Sequence, residues 1–121
     1  MVLGASYRGG VKETAFSGVF PLVVALIRRG AEVWVHDPLF TASELQDLGL
    51  RPYVWGASVD VAILQADHVD YRSLRPTAMA SVSLVFDGRR VIDPLAWPGV
   101  GGGRLLRLGA PPDPVVHVPG Q

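Results

Sequence analysis

Three short stretches of this 121-residue chain set charged or aromatic side chains beside glycine or proline, as turns at the ends of buried strands do. Tyr7-Arg8-Gly9-Gly10 follows the apolar pair Val2-Leu3, Asp37-Pro38 follows "AEVWVH", and Asp87-Gly88-Arg89-Arg90 follows "SVSLVF". Glycine lets backbone N–H groups approach an anion, and the start of a helix adds favourable partial charge. Arginine offers a planar fork for phosphate or a carbonyl edge, and tyrosine a flat face for a base or sugar. Together these residue types suit a nucleoside diphosphate. They equally suit a plain turn in which Gly9-Gly10 bend the chain and Arg8 is solvated.

The spacing excludes several sharper alternatives. Gly4, Gly9 and Gly10 read G-x-x-x-x-G-G, which is not the dinucleotide fingerprint G-x-G-x-x-G, and no lysine-serine or lysine-threonine pair follows them. Without that fingerprint Asp37 reads as a turn-forming Asp-Pro rather than a ribose ligand. Asp37 and Asp87 lack the tight acidic cluster and distal lysine of a receiver domain, since Lys12 is the sole lysine and lies near the start. Asp67, in "DHVDY", reads as a helix cap. His36, His68 and His117 are scattered over separate segments, so no metal site is expected. Ser6 and Ser17 have no evident base, and catalysis by this chain alone is not expected.

The elements that would position these residues follow from periodicity. Val2-Leu3 is a short buried strand, and Phe16, Val19, Phe20, Val23 and Ile27 carry helical spacing. Arg28-Arg29-Gly30 ends that helix with cations at the negative pole and glycine beyond the last turn. Pro21 would break a helix interior, which places the regular start late, near Ser17 to Pro21. Residues 31–38 form a β-branched and aromatic strand, and "TASELQDLG" a short helix capped at Thr41 or Ser43. "RPYVW" suggests a short third strand weakened by Pro52, and 59–67 a strand buried on both faces. "HVDYRSL" suggests one or two helical turns, 81–88 the next buried strand, 104–109 the last, and the proline-rich tail from Ala110 irregular chain. Strands alternating with helices and reading as continuous apolar runs predict an α/β fold. The expected architecture is a three-layer, Rossmann-like sandwich on a mostly parallel sheet, in a single domain.

Bulk composition agrees. Residues are 49% hydrophobic and 18% charged, enough apolar material for a packed core in one domain. Eleven basic and eleven acidic side chains cancel, which leaves no positive field for nucleic acid. The absence of cysteine excludes disulfides, thiolate metal sites and a cysteine nucleophile. The apolar run around Leu22 to Ile27 is too short to cross a bilayer, and no secretory signal is visible. Met1 leads almost directly into a strand, an abrupt start that suggests a piece of a longer chain or a numbering set at a domain boundary.

"VLGASYRGGVKETAFSG", "RRGAEVWVHDPLF", "VDVAILQADHVDYRSL" and "VFDGRRVIDP" together resemble, in order and spacing, the C-terminal UDP-binding domain of the UDP-glucose/GDP-mannose dehydrogenase family. The resemblance runs from Val2 to about Leu108. It implies a fold of the kind just described and a parent enzyme that oxidises the C6 alcohol of a nucleotide sugar to a carboxylate with NAD. NAD would be bound mainly by an N-terminal Rossmann domain, and the catalytic cysteine and lysine carried by a central helical region, neither of which this sequence contains. Residues 1–109 would then be the nucleotide-sugar-binding domain and 110–121 a proline-rich tail.

By position, the resemblance implies substrate-binding roles for Tyr7 and Arg8, which match the family's aromatic-lysine pair, and for Arg89 in the Asp-Gly-Arg turn. Ser17 matches the serine of the family's "DxRES" segment. There the sequence departs: the family's NAD-contacting arginine falls on Ala15, its glutamate on Phe16 and the following proline on Gly18. Implied partners are a UDP- or GDP-sugar, the N-terminal and central domains of the parent enzyme, and further copies in a homo-oligomer, with no nucleic acid and no membrane. The implied location is the cytoplasm. The alternative is a non-catalytic structural or oligomerisation module whose nucleotide pocket has degenerated.

Overall fold

A computed structural model describes residues 1–79, 81–96 and 104–107. Five strands, β1 (Val2–Leu3), β2 (Val35–His36), β3 (Val61–Leu64), β4 (Leu84–Asp87) and β5 (Arg104–Arg107), form one sheet in the order β2-β1-β3-β4-β5. Every pairing is parallel, with Val2 opposite both Val35 and Ile63, Val61 opposite Leu84, and Leu84 opposite Arg104. The order reverses between β1 and β3, the place where open parallel sheets bind ligands beyond the carboxyl ends of their strands. The fold is the expected α/β type, with a sheet that is wholly parallel.

Alternation along β1 sends Val2 to one face and Leu3 to the other. Val2 packs with Val19 and Val23 of α1 (Val19–Arg28), Leu45 of α2 (Ala42–Asp47), and Val33 and Val35. Leu3 packs with Ala62, Leu64, Val85 and Leu105, and with Tyr71, Leu74 and Met79 from the turns that follow β3. Those turns are 3₁₀ segments, Val69–Ser73 and Pro76–Met79, so one of the two covering layers is built from tight turns rather than α-helices. On the α1 face the cover is complete only over β2 and β1. Val61, Ile63, Leu84 and Phe86, which alternate with the buried residues of β3 and β4, are half-buried.

Pro21 is the third residue of α1, where its missing N–H would have had no helical partner, so it costs nothing there. The regular helix starts at Val19, within the 17–21 range that Pro21 allows. Gly30 (φ 90°) donates to the Ile27 carbonyl and stops it. Thr41 and Glu44 form a reciprocal capping box at the start of α2. The third strand expected at "RPYVW" is reduced to a single parallel bridge, Val35 to Pro52, because proline has no N–H to continue a ladder. Residues 108–121, including the end of the last expected strand and the tail, lie outside the described residues.

Candidate functional site

The chain leaves β1 at Gly4 and reaches α1 only at Val19, and the connection is folded back onto the carboxyl edge of the sheet. At Gly4 a Cβ would stand 2.4 Å from the Ala66 Cβ, so the loop lies directly on the end of β3. Tyr7 N–H donates to the Glu13 carbonyl at 2.8 Å and closes the loop on itself. The Gln65 amide donates to the Gly4 and Ser6 carbonyls at 3.0 and 3.2 Å. Ser17 Oγ donates to the Ala5 carbonyl at 2.8 Å and accepts the Val19 N–H at 3.2 Å, joining the end of β1 to the first turn of α1.

Asp37, at the end of β2, is the anchor of this loop. Its Oδ2 accepts from Ala5 N–H (2.8 Å), Ser6 N–H (3.2 Å), Ser6 Oγ–H (3.1 Å) and His68 Nε2 (2.8 Å), and Oδ1 accepts from Leu39 N–H (2.8 Å). Burial alone would raise its pKa, but the Leu39 and Ala5 amides and His68 outweigh that and hold the carboxyl below its ordinary range. The turn role read from Asp-Pro is present in the Leu39 contact. The larger role is reception of the β1 loop from across the sheet.

Asp67 and His68, at the end of β3, seize the two glycines. Gly9 N–H donates to Asp67 Oδ1 at 2.6 Å and Gly10 N–H to His68 Nδ1 at 3.0 Å. The glycine N–H groups expected to approach a phosphate are thus already satisfied from within, Gly9 by a carboxylate that occupies the anion's place. The Gly9 N–H in turn keeps the Asp67 pKa low, with Arg89 contributing. Asp67 is accordingly a loop tether and not a helix cap, and His68, which stands at the cap position, makes no side-chain capping bond. His36 and His68, read as scattered, both approach Tyr71: His36 Nδ1 lies 2.9 Å from its hydroxyl and the His68 ring packs at 5.7 Å. Burial pushes the Tyr71 phenol above its ordinary range. No group of residues among those described could hold a metal ion.

Arg89 spans the switch point. Its side chain leaves the β4 turn and donates from Nε to the Gln65 carbonyl (2.8 Å) and from Nη2 to the Tyr7 carbonyl (3.2 Å). The turn is fixed beneath it by buried Asp87, which accepts from Arg89 N–H (3.0 Å) and Ile92 N–H (2.8 Å), with Arg90 in the left-handed region at φ 56°. A guanidinium has five N–H donors, so two bonds leave most of the exposed fork open. Arg8 is one residue from the carbonyl that Arg89 grips, and both Tyr7 and Arg8 are exposed. Among the described residues the Arg8 side chain makes no hydrogen bond or ion pair. Lys12 is committed elsewhere, to Glu44 and the face of Phe40.

The turn before α1 does not fit a direct grip on NAD. Ala15 brings no cation, its N–H is taken by Glu13, and Phe16 is 94% exposed with φ 61°. A hollow of about 500 Å³, lined by Met1, Gly30, Glu32, Trp34 and Asp60, lies at the opposite, amino edge of the sheet, away from Arg89. No described helix is long and apolar enough to cross a membrane.

No curated protein matches the chain. Among solved structures, the UDP-N-acetyl-mannosamine dehydrogenase Cap5O from S. aureus superposes with a TM-score of 0.67 at 18% identity, a likeness of fold. The match covers 88% of this chain and 25% of the Cap5O chain, so the chain spans about a quarter of that protein. The model of the UDP-glucose/GDP-mannose dehydrogenase family, UDP binding domain, matches residues 1–94. With Arg89 laid across the switch point of a parallel sheet and that match over most of its length, the chain belongs to the UDP-glucose/GDP-mannose dehydrogenase family.

Proposed function

We propose that residues 1–109 are the nucleotide-sugar-binding domain of a longer, cytoplasmic, NAD-dependent dehydrogenase that oxidises a sugar C6 alcohol to a carboxylate. In this reading Arg89 and Arg8 grip the pyrophosphate, Tyr7 flanks the base or sugar, and the other domains supply NAD, the catalytic cysteine and the far wall of the cleft. The observation that carries it is the bond from Arg89 to the Tyr7 carbonyl, which draws a cation from β4 to the residue next to a second cation on the β1 loop. The glycine amides have no part in the grip, because Asp67 and His68 hold them.

Titration of the chain with UDP, followed by amide NMR, tests this. Weak binding is expected, since half a cleft loses much of the affinity. Shifts should centre on residues 7–10 and 87–90, with Arg89→Ala and Arg8→Ala each weakening binding by about tenfold, as loss of a charge-assisted contact does. No response to any nucleoside diphosphate at millimolar concentration would overturn the proposal. One observation favours the alternative of a docking module: Phe16, almost wholly exposed in a left-handed conformation, suits contact with protein better than with an anion. A chain silent to nucleotides that self-associates through Phe16 would support that alternative.

A further inference from the structure

We infer that His68 is a pH-sensitive latch on the nucleotide loop, a positioning residue that holds the Arg8-Gly9-Gly10 turn in place only while its ring is neutral. The inference rests on the proposed nucleotide site for its consequence but not for its geometry. A backbone N–H can only donate, so the Gly10 contact requires Nδ1 to be a bare acceptor. The ring proton must then sit on Nε2, where it points at Asp37 Oδ2, 2.8 Å away. One imidazole thus joins the end of β2 to the loop after β1 from a position on the end of β3. It is 1% exposed, so water cannot replace either partner without the loop moving.

Protonation acts unequally on the two bonds. A proton on Nδ1 faces the Gly10 N–H donor to donor and the bond is lost, whereas Nε2 and Asp37 become an ion pair. The ring stays with Asp37 and the glycine turn lets go. The charged and titratable groups around the ring are Asp37 after β2, Asp67 before it and Asp70 two residues after it, His36 of β2, and Arg89 of the β4 turn beside Asp67, with the Tyr71 ring against the imidazole. The turn around Arg8 then keeps the Gly9–Asp67 bond and the Arg89 bond to the Tyr7 carbonyl but loses its tether at Gly10.

Two measurements on the full chain decide this. Long-range nitrogen-proton NMR should find the neutral His68 ring protonated on Nε2, and the Gly10 amide should shift with the same midpoint as the ring while the Gly30 amide stays still. The opposite tautomer, or a Gly10 amide indifferent to the ring, would overturn the latch with no nucleotide involved. UDP affinity should fall about tenfold across that midpoint, the worth of one buried hydrogen bond of ~1.4 kcal/mol. In His68→Gln, whose amide can both accept from Gly10 and donate to Asp37 without titrating, the acid loss should vanish. UDP's own phosphate titration is common to both proteins, so an equal loss in His68→Gln would overturn the coupling. Absence of UDP binding at every pH would refute the nucleotide site and leave the latch to be judged by the Gly10 amide.

Discussion

Gly9 and Gly10 are adjacent and chemically identical, yet the structure uses them for different reasons. A Cβ at Gly9 would stand 2.2 Å from the Asp67 carbonyl oxygen and 2.4 Å from its carbon, backbone atoms that cannot swing aside. At Gly10 a Cβ would meet nothing within 4 Å, and only the φ of +74° asks for glycine. Gly9→Ala is therefore expected to destabilise the fold by about 1–3 kcal/mol, as overpacking against fixed structure does. Gly10→Ala should cost about 1 kcal/mol, the left-handed penalty alone. Urea denaturation of the two variants checks the order, and equal losses would mean the loop is not seated on β3. That aromatic, cation and glycine cluster at one strand end was legible from residue types alone. That Asp67 and His68 hold both glycines was not, because each partner lies 58 residues away and no local spacing encodes the pair.

Between elements, the joint that matters is the one from β1 to α1, and Ser17 closes it. Its hydroxyl sits between the Ala5 carbonyl and the Val19 N–H, while Gly18 at the helix cap has no side chain to offer. Ser17→Ala removes a cap and leaves a buried carbonyl without that donor, so a loss of about 1–3 kcal/mol is expected in chemical denaturation. Ser17→Thr, which keeps the hydroxyl, should recover part of it. The outlines of both helices could be read from the sequence, because apolar spacing, Pro21 and the Thr41–Glu44 box are local signals. Residues 51–55 misled because β-rich composition suggests a strand, whereas a sheet needs a donor that Pro52 lacks. Helical turns were legible at 68–74, where the 3₁₀ segment Val69–Ser73 lies, but the second segment, Pro76–Met79, was not, because Met79 reaches the core without a helical period to announce it.

At the scale of the molecule, the buried polar network makes the fold depend on pH in a definite direction. Burial lowers the pKa of His36, with Asp37 and Asp70 opposing, so the folded chain binds fewer protons there than the unfolded one. Stability from this group is complete above the ordinary histidine value of about 6.5 and declines as the pH falls below it. Asp37 and Asp67 are also held below their ordinary range, and their contribution is present above about 3.9 and lost as the pH falls through their folded values. The signs agree, so the urea midpoint should fall in two stages on acidification, gently below about pH 6.5 and steeply below about pH 4. His36→Gln should make the first stage shallower and leave the second. Asp37→Asn should lower stability near neutrality, because one amide oxygen cannot serve the donors that converge on the carboxylate, and should make the second stage shallower. A midpoint that rises on acidification would mean that these carboxylates and His36 are not what binds the loops to the sheet.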